Sequence, residues 1–257
     1  VGSTFKPFVY ATAIMNLGMT PCSTVSNATY TKGDWVVEGK GGNLTLRDAL
    51  AHSKNPVAVR LIESVSPKKV IQLARDLGVT EEMPNEYAIA LGSTDITIYE
   101  MLGAYSSFAN FGNYIKPEMV WRIEDANGRV IKEVKNETKE VMNEMYAYTM
   151  IDLMKGVTRF GTASGELRRM GILETVEIAG KTGTTQNNSD GWFMGITPNL
   201  ATGVWVGWED RATHFWSTGE GQGAKMALPI WGIFMKKVWA DKELGITPDD
   251  KFAKPSN

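Results

Sequence analysis

Apolar residues at Phe5, Phe8, Val9, Ala13 and Leu17 share one face of a helix running from Ser3 to about Leu17, which Gly18 ends. Pro7 fits there only if the helix begins close to Ser3, because proline is tolerated in a first turn and costly beyond it. Cys22 to Asn43 is rich in Thr, Gly, Asn and Ser and reads as a long surface excursion. Thr45 to Ala51 predicts a short helix, and Pro56 opens the next with Asn55 as its cap. Ser66-Pro67 opens another, ended by Gly78. Thr97 and Glu100 form a capping box ahead of a helix to about Phe111.

The second half changes period. Met119 to Val134 alternates around Asn127-Gly128, a hairpin signal. Glu144 to Lys155 returns to helical spacing. Val176 to Thr182, Trp192 to Thr197 and Thr202 to Trp208 are strand-like runs with short Gly, Asn and Pro linkers, which predicts an antiparallel meander. Met226 to Trp239 closes the pattern as a helix, and the polar residues 241–257 read as a loose tail after a domain spanning 1–240. Trp205, Trp208 and Trp216 are expected in the core or as a groove wall.

Composition narrows the chemistry. The 257 residues are 43% hydrophobic and 22% charged, and 27 Lys and Arg nearly cancel 29 Asp and Glu. That length supports a substantial core, and the charge balance gives no footprint of a nucleic-acid partner. Two histidines, His52 and His214, and one cysteine, Cys22, leave little for a metal site or disulfides, so no cofactor is expected. The most apolar run, Met226 to Met235, is short of the ~18–20 residues of a membrane span and holds Pro229 and Gly232. Because the chain opens on Val1 with Gly-Ser at its edge, it reads as a piece of something longer, and a missing targeting segment argues nothing about compartment.

With histidine scarce, serines near lysines are the candidate nucleophiles. Ser3 and Lys6 stand three apart on one helical face, where a neutral lysine could take the serine proton. The same spacing recurs at Ser66 and Lys69, which reads as a helix cap followed by a solvated lysine; taken alone, the first pair reads the same way. Ser53-Lys54-Asn55 is a turn that also offers a hydroxyl and an amide. Gly180-Lys-Thr-Gly-Thr-Thr shares a tail with phosphate-binding loops, but Thr175 stands where that motif needs glycine. It reads either as a plain strand edge or as a cation, Lys181, with the hydroxyls of Thr182 and Thr184 beside the small Gly183, suited to a carboxylate and an extended peptide. Three such motifs in this order, on a helix start, an inter-helix loop and a strand, are not three accidents.

Together they resemble the transpeptidase domain of class A (bifunctional) penicillin-binding proteins, in the serine beta-lactamase and penicillin-recognising superfamily, from Val1 to about Trp239. Asp190-Gly-Trp-Phe-Met-Gly, Gly203-Val-Trp-Val-Gly, Gly161-Thr-Ala, Pro117 and Leu228-Pro-Ile-Trp fit further landmarks of that family. The resemblance implies an α+β fold, an antiparallel β-sheet flanked by helices on both faces, with two N-terminal strands missing from this chain. It implies D,D-transpeptidase activity on peptidoglycan stem peptides ending in D-Ala-D-Ala, inhibited by beta-lactams. Ser3 would form the acyl-enzyme, Lys6 act as base, Ser53 relay a proton, and Asn55 hold the substrate and Lys6. Lys181, Thr182, Gly183 and Thr184 would receive the terminal carboxylate, with the N–H groups of Ser3 and Thr184 as oxyanion hole. It also implies lipid-linked glycan strands as partners, a glycosyltransferase domain and a membrane anchor upstream, and an extracytoplasmic location. A D,D-carboxypeptidase, a serine beta-lactamase or a penicillin-sensing module are the alternatives. The beta-lactamase is disfavoured because no Glu-x-x-Leu-Asn element is present.

Overall fold

Gly2–Phe5 forms a single 3-10 turn that runs directly into α1 (Lys6–Leu17), in a computed structural model describing residues 1–172 and 175–255. Pro7 falls in the first turn of α1, and Gly18 closes the helix at φ +63°. Phe8, Val9, Ala11 and Ala13 are buried around the helix, whereas Leu17 is exposed in the last turn, contrary to the face predicted for it. α1 is therefore a central strut rather than a surface helix.

The predicted surface excursion is instead two short ladders, β1 (Thr24–Ser26) with β4 (Asn43–Thr45) and β2 (Tyr30–Lys32) with β3 (Trp35–Val37). Tyr30 and Val37 bury one end of the second ladder, but strands of three residues are too short to register as alternation. Thr45 caps α2 (Leu46–Ala51) by accepting from the Asp48 N–H. α3 (Asn55–Val65) is preceded by Lys54 as N-cap, so Asn55 is a first-turn residue and not the cap. Ser66 precedes α4 (Pro67–Asp76) at φ +80° and makes no side-chain cap, again unlike the expectation. The capping box of Thr97 and Glu100 does form, opening α5 (Ile98–Ala109).

β5 (Asn113–Ile115), the hairpin β6 (Arg122–Glu124) with β7 (Val130–Glu133), and β8 (Thr138–Glu140), which pairs with β5, lead to α6 (Glu144–Arg159) and α7 (Ser164–Arg169). The main sheet follows as β9 (Ala179–Thr184), β10 (Gly191–Thr197) and β11 (Leu200–Val206), antiparallel in the order β11-β10-β9. α8 (Thr218–Gly221) and α9 (Gly223–Ala240) complete the order.

Strand alternation divides the sheet cleanly between two helical layers. A side chain added at Gly195 would meet Trp231 of α9, and Phe193, on the same side, stacks edge-on to Trp231 at 5.1 Å. Met194 lies on the other side, paired with Gly203, which approaches Ile98 of α5. α6 joins that layer: Thr158 donates to Ile178 O at 2.5 Å, where the chain enters β9. The fold is thus helix plus antiparallel sheet covered on both faces. Among the described residues no helix is long and apolar enough to cross a membrane.

The segment after α9 is not loose. Phe252 is buried and its N–H reaches Glu177 Oε2 at 2.9 Å, while Lys251 Nζ reaches Thr175 O at 2.9 Å. Glu177 also pairs with Lys155 at 2.5 Å, so the tail fastens the approach to β9. Residues 256–257 of the predicted tail lie outside the described residues. Cys22 is free and exposed. Trp205, Trp208 and Trp216 are all exposed rather than in the core: Trp205, on β11, lines a cavity with Trp192 and Asp190 as the groove-wall expectation allowed, and Trp208 and Trp216 lie where the chain passes over the surface.

Candidate active site

Three segments far apart in sequence converge where the 3-10 turn meets β9. Gly2 makes this approach: its φ is +54°, and a Cβ there would lie 2.6 Å from Thr184 O. Only glycine fits both conditions. Ser3 follows, half-buried, and lines a cavity of about 330 Å³ with Asn55, Thr184, Trp35 and Arg211. Tyr105 of α5 steadies the turn by donating to Thr4 O at 2.6 Å.

Beneath the cavity floor lies a buried amine pair. Lys6, the first residue of α1, is fully buried and donates to Ser53 O at 2.7 Å, Ser53 Oγ at 3.1 Å and Asn55 Oδ1 at 2.6 Å. Lys181 of β9, equally buried, donates to the same Ser53 Oγ at 3.0 Å and to Thr182 O at 2.9 Å. One serine hydroxyl therefore bridges two lysines that sit 175 positions apart in the chain. Ser53 holds this position at φ +54°, a conformation that costs a non-glycine residue energy and that clusters at functional sites.

Burial penalises both ammonium forms. Lys6 is held well below the ordinary lysine range, by desolvation first and then by the like charges of Lys181 and Lys54. Desolvation brings Lys181 down to about 7. An amine held near 7, as Lys181 is, exchanges protons near neutrality, which a surface lysine cannot do.

The predicted residues are brought together, with two departures. Among the described residues Ser3 Oγ has no hydrogen-bond partner, and Lys6 Nζ turns to Ser53 and Asn55 instead. The buried acceptors Ser53 O, Ser53 Oγ and Asn55 Oδ1 take the three donors of Lys6. The second departure concerns β9. Its pleat puts Lys181 and Gly183 toward the 3-10 turn, where Gly183 packs on Thr4, and sends Thr182 and Thr184 to the opposite face. Thr182 Oγ1 meets Thr162 Oγ1 at 2.6 Å away from the cavity, whereas Thr184 lines it.

Sequence reasoning missed three supports. Thr162 partners Thr182, the Gly223 N–H at the start of α9 donates to Thr184 Oγ1 at 3.1 Å, and Asp190 fastens the β9–β10 turn. Asp190 Oδ2 accepts from Thr185 at 2.7 Å and Ser189 at 2.9 Å, and Oδ1 from Trp205 Nε1 at 2.9 Å. The Gly161-Thr-Ala landmark pointed near Thr162; nothing local marked Gly223.

Residues 1–212 match the family model described as the penicillin binding protein transpeptidase domain. The chain is 36% identical over 263 aligned positions to penicillin-binding protein 1A of Aquifex aeolicus, covering 97% of this chain and 35% of that protein. It is 34% identical to penicillin-binding protein 1A of Neisseria meningitidis, covering 91% of this chain and 31% of the relative. The chain thus spans about a third of the length of these relatives. Among solved structures, penicillin-binding protein 1A from Haemophilus influenzae superposes with a TM-score of 0.85 at 25% identity, over 99% of this chain and 44% of that one. The fold is shared with PonA1 of Mycobacterium tuberculosis in complex with penicillin V, TM-score 0.81 at 24% identity, covering 100% of this chain and 72% of that one.

Proposed function

Since the chain belongs to the family of penicillin-binding protein transpeptidase domains, we propose that it is the D,D-transpeptidase unit of a longer class A protein, cross-linking peptidoglycan stem peptides through an acyl-enzyme on Ser3. The observation that carries this reading is the hydroxyl of Ser53 shared by two buried lysines. Two ammonium groups cannot both stay charged cheaply against one acceptor in a desolvated site, so one amine is available as a base.

Ser3 Oγ attacks the carbonyl carbon of the penultimate D-Ala, and its proton passes to neutral Lys6. The tetrahedral oxyanion meets the N–H groups of Ser3 and Thr184, a pairing that the close approach of Gly2 to the Thr184 backbone supports. Ser53 Oγ accepts from both lysines, which leaves its own O–H free to donate to the leaving nitrogen. The C–N bond breaks as the leaving nitrogen takes the Ser53 proton and Ser53 takes one from Lys6, so D-Ala departs as an amine, Lys6 is neutral again, and Ser3 holds the acyl group as an ester. An amine from a neighbouring stem attacks that ester and loses its proton to Lys6, which passes it to the departing Ser3 Oγ, so the cross-link forms and both Ser3 and Lys6 return to their starting states. Thr184, its oxygen already accepting from the Gly223 N–H, donates its proton to the terminal carboxylate. Lys181 supplies positive charge nearby.

The relatives are about three times as long, which leaves room for further domains, and the same proposal includes an upstream glycosyltransferase domain, a membrane anchor outside these residues, lipid-linked glycan strands as partners and an extracytoplasmic location. The test is mass spectrometry after incubation with a labelled penicillin. The expected result is one adduct, on Ser3, persisting for many minutes. Rapid turnover of a chromogenic cephalosporin would replace this reading with a beta-lactamase, and an adduct on any other residue would end it.

A further inference from the structure

Among the described residues lining the Ser3 cavity there is one cation, Arg211, and one carboxylate, Asp95, and they hold each other through Nη2 and Oδ1. The chain fixes the arginine from both sides. Asp210 Oδ1 accepts the Ala212 N–H at 2.8 Å and Asp210 O the Thr213 N–H at 3.0 Å, a turn with Arg211 inside it. Further along, the Phe215 N–H donates to Asn188 O at 3.3 Å, which ties this crossing to the β9–β10 turn. Arg211 therefore reaches the cavity beside Thr184 and Thr185. The ion pair itself costs little to break: Asp95 keeps 84% of its side chain in water and Arg211 59%, and pairs so exposed contribute little stability.

Asp95 marks where this guanidinium takes a carboxylate, and the donor peptide brings a second one to the same cavity. The other groups at hand are weaker partners for it. Lys181 is fully buried and already donates to Ser53 Oγ and Thr182 O. Thr184 offers a single neutral hydroxyl. We infer that Arg211 exchanges Asp95 for the terminal carboxylate of the donor, and is the residue by which the site tells a chain end from an internal D-Ala linkage. The guanidinium fork matches a carboxylate bidentately, which neither a hydroxyl nor an ammonium can do. Asp95 occupies that fork in the free protein and competes with the donor for it. The assignment rests on the acyl-transfer reading of Ser3 and adds to it a residue that neither the Ser-x-x-Lys nor the Lys-Thr-Gly spacing marks.

The test compares two donors of one sequence, the first ending in a free D-Ala-D-Ala carboxylate and the second in its carboxamide. Release of D-Ala or of its amide is followed for the parent chain and for variants, and labelling of Ser3 at saturating penicillin checks folding. The parent is expected to favour the acid in kcat/KM. Arg211→Gln should shrink the acid-to-amide ratio about tenfold, chiefly through KM, as for loss of a hydrogen bond to a charged group. Arg211→Lys should restore part of it. Asp95→Asn should instead widen the ratio, because Arg211 loses its competitor. The opposite signs distinguish this assignment from a structural role, in which breaking the pair from either side does the same harm. A parent indifferent to the carboxamide overturns the inference. So does an Arg211→Gln chain with the parent's ratio, or an Asp95→Asn chain whose ratio falls. Where Arg211→Gln fails to label, Arg211→Lys is read by the same ratio, which must lie below the parent's. A parent chain that penicillin does not label at Ser3 overturns the proposed function and this inference with it, whereas the other failures leave the proposed function standing.

Discussion

Ser53 gathers the chemistry at the residue scale, because its hydroxyl is the shared acceptor of Lys6 and Lys181. Removing the proposed base by Lys6→Ala is expected to slow acylation by penicillin about 10²–10⁴-fold, the usual range for a positioned acid–base group, measured as the second-order labelling rate. The pH profile separates the two amines. Lys6 works as a base only when neutral, and its depressed pKa sets the rising limb of kcat/KM on the acid side. Lys181 works as a cation, and in the free protein it loses its charge as pH rises through about 7. The expected profile for D-Ala release is therefore a bell whose alkaline limb falls near 7. Lys181→Arg, charged at every accessible pH, should abolish that limb, and a limb that stays would assign it to another group. The lysines were legible from the Ser-x-x-Lys and Lys-Thr-Gly spacings. The hold of Asn55 on Lys6 was legible through the family resemblance, whereas the Ser53 hydroxyl shared between Lys6 and Lys181 was not, since it depends on how the loop before α3 packs against β9.

Elements place these residues, and the closest join is between the 3-10 turn and β9. Gly2→Ala adds a Cβ 2.6 Å from Thr184 O at a φ of +54°, so the turn must move away from the strand. A shift near 1 Å at the reacting centre is worth about 100-fold in rate. The expected outcome is a loss of that order in penicillin labelling, with far-ultraviolet circular dichroism unchanged. Long elements with caps were readable in advance: Thr97 and Glu100 announced α5, and Asn127-Gly128 announced the β6–β7 hairpin. Short ones were not. β1 to β4 hold three residues each, too few for a period, and their pairing is decided by tertiary packing around Tyr30 and Val37. The start of α9 at Gly223 was invisible for another reason: the glycine is required by the backbone of Gly183 and Trp192 pressing on it, which is long-range information.

At the scale of the whole molecule, the segment after α9 returns to the approach to β9. Lys155 and Glu177 are nearly buried, Arg159 adds a longer contact, and Phe252 closes the cluster. Breaking one partner of a buried pair leaves the other charge unpaired, so Glu177→Ala is expected to cost about 3 kcal/mol in denaturant unfolding. Lys155→Met with Glu177→Leu should recover most of it if the cost lies in the orphaned charge. The sequence read these last residues as a polar tail because their burial rests on single groups, Phe252 and Lys251, rather than on any pattern. The three-stranded sheet has a different consequence. Its β9 border faces the Ser3 cavity, but the outer border of β11 has no hydrogen-bonded neighbour among the described residues. A bare row of amides and carbonyls is a template for another copy. Concentrated solutions of these 257 residues should therefore show reversible dimers by light scattering, joined by antiparallel pairing of one β11 with the other, in which every Ser3 still accepts penicillin because the crowding falls at the far rim of the sheet.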